Sequence, residues 1–128
     1  RLHRLEVRFS KDAEYFKLYS ENLRDYVDQG HMVRAAKQSD YILTHHGVCK
    51  QSPSGTKIRV VFSPAEKDFQ GVSLNDCLLA GPKLVPDIGR IVTQFRTFRV
   101  ALTCDIKQMF REILLHPEDC EFQHILWR

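Results

Sequence analysis

The run Val100–Phe110, VALTCDIKQMF, places one acid, Asp105, directly after an apolar β-prone stretch and sets an aromatic, Phe110, five residues beyond it. Val100, Ala101 and Leu102 read as a buried strand, and a carboxylate at the exit of such a strand is costly unless it meets water, a partner or a metal. Two readings are open at this point. Asp105 either caps the turn that starts at Ile106, as Asp favours the N-cap position, or it is a hard-oxygen ligand for a divalent cation.

A second set of residues could grip an anion. In TKIRVVF, Lys57 and Arg59 alternate with Ile58 and Val60, so a strand would put both cations on one side. A planar guanidinium can hold phosphate oxygens with two parallel bonds while lysine adds a point charge. Lys50, across a presumed hairpin, is a third and weaker candidate. His45, His46 and Cys49 lack a fourth partner at metal-binding spacing and are set aside.

The chain that must position these residues has 128 residues, room for one core but not two ordinary domains. Its apolar content of 43% is that of a globular protein, neither disordered nor membrane-spanning. No apolar run reaches bilayer length, and RLHRLEVRF lacks a signal peptide's apolar core, so an intracellular chain with no membrane partner is expected. It starts at Arg1 and ends at Arg128 inside a run, EFQHILWR, that reads as a strand, so both ends look cut. The net charge of +3 is unevenly spread. Arg34, Lys37, Lys50, Lys57 and Arg59 face only Asp40 between residues 29 and 60. Lys83, Arg90, Arg96, Arg99, Lys107 and Arg111 face Asp87 and Asp105 between 83 and 111. Such stretches fit a polyanion or ordinary solvated faces. Four widely spaced cysteines without a C-x-x-C pair fit buried or free thiols in a reducing compartment.

Helical periodicity runs from Lys11 to Gln29 through Tyr15, Leu18, Tyr19, Leu23, Tyr26 and Val27, with Ser10 expected to cap the start and Gly30 to end it. Short β-prone runs follow at Met32–Val33 and His46–Lys50. The latter and TKIRVVF flank the turn-rich QSPSG, which predicts a hairpin with a mobile tip. Residues 63–76 read as a long ordered loop. Ile88, Ile91, Val92 and Phe95 define a second helix with Pro86 in its first turn. Strands are then expected at Val100–Leu102, in REILL and in FQHILW. The sum is an α+β domain, an antiparallel sheet with packed helices.

The segments DQGHM, YILTHHGV, TKIRVVF, GVSLNDCLLAGPKL, RTFRVALTCDIKQMFREI and LHPEDCEFQHILWR, in this order, resemble the amino-terminal part of the reverse transcriptase of BEL/Pao long-terminal-repeat retrotransposons. The resemblance spans nearly the whole chain. It implies a right-hand polymerase fold of which residues 1–128 supply a helical lead-in (about 1–40), the fingers and their connection (41–99) and the start of the palm (100–128). It further implies RNA-directed DNA polymerase activity, in which two Mg²⁺ ions clamp the attacking and leaving oxygens of nucleotidyl transfer. Asp105 would be the first catalytic carboxylate and the Ile106 carbonyl a further metal ligand. Lys57, Arg59 and the backbone amides of Gln108 and Met109 would bind the dNTP. Phe110 would pack under its sugar and exclude a 2′-hydroxyl, and Asn75 would touch the template.

The partners implied are an RNA or DNA template-primer, a dNTP, and the remaining palm, thumb and polyprotein domains, in the cytoplasm within a virus-like particle. Two departures stand out. Ser63 and Pro64 occupy positions where such enzymes carry Asp and a small residue, and the paired-aspartate motif that completes the metal site does not occur in the sequence. The chain is therefore expected to show no polymerase turnover alone. The competing expectation is a decayed or repurposed, non-catalytic nucleic-acid-binding module.

Overall fold

A computed structural model describes residues 2–53 and 55–128. It is a small α+β fold whose sheet has two antiparallel strands. The chain forms two compact units, Arg1–Cys77 with Leu115–Arg128, and Leu78–Leu114.

The first unit opens with helix α1 (Leu2–Lys11), which the strongly basic sequence had masked, and α2 (Ala13–Asp28). The break between them is set by Asp12, whose carboxylate accepts from the Tyr15 amide at 2.9 Å. Ser10, expected in that role, lies in the last turn of α1 and its hydroxyl donates back to the Val7 carbonyl. Gly30 ends α2 region as expected, with φ at 74°, where a side chain would be strained.

Strands β1 (His45–Ser52) and β2 (Gly55–Phe62) form the hairpin, with Gly47 opposite Val60, Val48 opposite Arg59, Cys49 opposite Ile58 and Lys50 opposite Lys57. Helix α2 lies on the face that carries Ile58 and Val60. Tyr15, Tyr19, Leu23, Ile58 and Val60 make the buried core, with Leu5, Phe9, Leu18, Met32, Phe62 and Ile125 packed against it. The close approach depends on Gly47. A Cβ there would collide with the Tyr15 hydroxyl and come within 3.0 Å of Tyr19 Cε2 and 3.1 Å of Ile58 Cγ2.

Past the hairpin, the loop is ordered by two aspartates. Asp68 Oδ1 accepts from the amides of Gln70 and Val72, and Asp76 Oδ2 accepts from the Ser73 amide and hydroxyl. The Ser73 bonds hold the Asp76 carboxyl below the usual carboxylate range. A four-residue helix, α3 (Leu74–Cys77), closes the segment. At the departure position, Ser63 extends the hairpin ladder by donating its amide to the Thr44 carbonyl at 2.9 Å.

The last residues return to this unit. Met32–Val33 and FQHILW do not form strands. Pro117–Gln123 is a 3₁₀ helix, and of the following residues only Ile125 makes a bridge, parallel to Leu43. Trp127 then packs on Tyr19, Phe16 and Phe9, and Arg128 pairs with Glu6 at 2.7 Å.

In the second unit, α4 (Ile88–Phe95) forms as its periodicity predicts. Its N-cap is Asp87, which accepts from the Gly89 and Arg90 amides, so Pro86 precedes the helix and is not in its first turn. Two expectations fail here. Val100–Leu102 is not a strand but a bend running into irregular chain, with Val100 73% and Leu102 87% exposed, and REILL begins in a 3₁₀ helix at Met109–Glu112. Apolar β-prone residues become strand only when a ladder partner satisfies their backbone, and among the described residues no third strand offers one. No described helix is long and apolar enough to cross a membrane.

Candidate nucleotide and nucleic-acid interface

The alternation read from TKIRVVF is realised. Ile58 and Val60 are buried against α2, while Lys57 and Arg59 are exposed on the opposite face of β2. Register adds Lys50 to the same face, directly across from Lys57. Facing like charges repel in a sheet. The ion pairs Arg128–Glu6 and His116–Glu118 draw on none of the three cations. Among the described residues the hairpin thus presents a cationic face with no carboxylate paired to it, the arrangement that suits phosphate oxygens.

Strand β2 is held by a residue the sequence reading passed over. Asn22 of α2 places its side-chain amide along the outer edge of β2, donating to the Ile58 carbonyl at 3.3 Å and accepting from the Val60 amide at 3.2 Å. One amide group thereby does for β2 what a third strand would do. The only sequence signal was its position, a polar residue directly preceding the core residue Leu23 on an otherwise well-read helix.

A second overlooked contact joins α2, β1 and the carboxy-terminal residues. His45 is buried, with Nε2 2.8 Å from the Leu126 carbonyl and Nδ1 2.5 Å from the Tyr19 hydroxyl. A carbonyl can only accept, which assigns the proton to Nε2 and makes Tyr19 the donor to Nδ1. Burial pushes the imidazole below its ordinary value, and burial likewise raises the Tyr19 phenol.

Asn75 lies in the same unit, exposed on α3, and its backbone amide donates to the Pro64 carbonyl at 3.1 Å. The remaining expected residues belong to the second unit. Asp105 is exposed on chain that is neither helix nor strand. It is not at a strand end, and it is not the cap of the following helix, because Gln108, in the left-handed region at φ 57°, occupies that position. The Ile106 carbonyl accepts the Met109 amide at 3.2 Å, so that amide is engaged within the turn. Phe110 is 79% exposed and fills no core.

Magnesium requires near-octahedral oxygen coordination. Asp105 and the Ile106 carbonyl are two such donors, and among the described residues no group of three or more His, Cys, Asp or Glu side chains could hold a metal. The residues present do not by themselves make a magnesium site. All four cysteines are free and exposed.

No protein family, curated protein or solved structure matches the chain.

Proposed function

We propose that the chain is the fingers and first palm segment of a retrotransposon RNA-directed DNA polymerase of the BEL/Pao type, binding dNTP and template-primer within a cytoplasmic particle. The observation that carries this reading is the hairpin face that bears Lys50, Lys57 and Arg59, with no carboxylate partner among the described residues. A triphosphate relieves the repulsion between the paired lysines and can take both oxygens of one phosphate on the Arg59 guanidinium. Asp105, Ile106, Gln108, Met109 and Phe110 keep the roles that the resemblance implies for them, and Asn75 keeps the template contact. With two magnesium donors in hand, the chain binds nucleotide and does not turn over alone.

Titration of the chain with a dNTP tests the proposal. Lys57→Ala with Arg59→Ala should weaken binding by at least roughly tenfold, since each removes a charge-assisted phosphate contact. Unchanged affinity sinks the assignment. In the extended reading frame, Asp105→Asn should abolish primer extension, and equal activity of the two forms would remove its catalytic role.

The alternative, a repurposed non-catalytic nucleic-acid-binding module, is favoured by one observation, that Asp105 stands on irregular chain outside any described strand. It predicts salt-sensitive template binding with no dNTP incorporation in the extended frame.

A further inference from the structure

The first unit carries another feature on the outer side of α2, where the helix meets the carboxy-terminal residues. An open groove of about 610 Å³ is lined there by Phe16, Lys17, Glu21, Arg24, Trp127 and Arg128, among others. Trp127 lies nearly parallel to Phe16, at 22° with ring centroids 6.1 Å apart, and nearly parallel to the fully buried Tyr19, at 14° and 5.5 Å. The core therefore fixes the orientation of the indole while leaving it 37% exposed, and Phe16 stays 42% exposed. Lys17 and Arg24 are seven residues apart on one helix, about 10 Å along its axis. Arg128 is held at the groove by its bond to Glu6. Glu21 is the acidic residue among those lining the groove.

We infer that this groove is a binding site for single-stranded nucleic acid, with a base stacking on the Trp127 and Phe16 rings and the backbone tracking Lys17 and Arg24. Cations alone would serve any acidic partner, but orderly aromatic planes beside them select an unpaired base, whose π-face is free to stack. A duplex keeps its bases stacked on one another and cannot use the rings. The inference deepens the polymerase reading by giving the template strand a second contact, and rests on that reading for the strand's identity as template. The groove itself is lined by residues of α2 and the carboxy-terminal residues, and shares none of them with the cationic hairpin face.

Trp127 is the single tryptophan of the chain, so its fluorescence reports this groove alone. Short oligothymidylate added to the full chain at low salt should quench it. Lys17→Gln with Arg24→Gln, both on the exposed side of α2, should weaken binding by at least roughly tenfold and reduce the salt slope by about one for each cation removed. Phe16→Ala should weaken it by roughly tenfold through lost stacking, and circular dichroism of each variant checks that the helices persist. Absence of quenching at saturation overturns the inference, as does unaltered affinity in the Lys17/Arg24 variant or equal quenching by duplex or by polyglutamate. The Lys57→Ala/Arg59→Ala variant separates the two proposals. Quenching that survives in it while dNTP binding is lost supports both. Strand binding that depends on the hairpin pair and not on Lys17 and Arg24 defeats the groove and leaves the hairpin reading standing.

Discussion

His45 ties three segments together with one ring, and its protonation state decides whether they stay tied. In the neutral form Nε2–H donates to the Leu126 carbonyl and Nδ1 accepts the Tyr19 proton. Adding a proton at Nδ1 places donor against donor, and the fully buried Tyr19 hydroxyl loses its acceptor. The groups around the ring, Tyr19, Phe62, Trp127 and the neighbouring His46, include no carboxylate to compensate. The folded-state pKa therefore lies below the ordinary 6.5, so the stabilisation is fully present above 6.5 and is lost as pH falls from there through the folded value. Denaturant midpoints should be flat in mildly alkaline buffer and drop as acid is added. The difference between wild type and His45→Gln should isolate this dependence from the other five histidines, and parallel pH curves would show that His45 does not titrate in this window.

At the scale of elements, the hairpin and α2 stand or fall by their mutual fit. Gly47 is the contact point, and Gly47→Ala drives a methyl group into two tyrosines and Ile58. We expect a loss of about 1–3 kcal/mol in equilibrium unfolding, typical of an overpacked core. A loss within a few tenths would mean that the helix slides without penalty. The elements legible in the sequence were those whose signal is local. Tyr15, Tyr19 and Leu23 fall on one helical stripe, Ile58 and Val60 alternate with Lys57 and Arg59, and Ile88 to Phe95 repeats at helical spacing. From that alternation the cationic face could be read, and register then added Lys50 as a full member. Long-range partners were not legible. Val100–Leu102 has strand composition but no strand beside it among the described residues, Asn22 stands in for a strand from another element, and the acceptor for His45 is a backbone carbonyl, Leu126, 81 residues on. Helix α1 was hidden for a different reason, since its charges obscured the spacing of Leu2, Leu5 and Phe9.

Across the whole molecule, the two units differ in what holds them. Residues 2–77 and 115–128 contain every residue of the buried core, whereas none of the described residues from Leu78 to Leu114 is buried. In that second unit the apolar face of α4 stays open to solvent at Ile88, Ile91, Val92 and Phe95, as do Phe98, Phe110 and Leu114. An eight-residue helix is marginal in water without tertiary burial of its apolar face. Backbone amides of residues 78–114 should therefore exchange with solvent close to the unprotected rate, while those of α2, β1 and β2 exchange through the larger opening of the core. Limited proteolysis should cut first between Leu78 and Leu114, with Leu84, Leu102 and Phe110 as accessible positions, and the hairpin unit should outlast it. Slow exchange across α4 equal to that of α2 would contradict this, because it would require burial that the exposed side chains of α4 do not have.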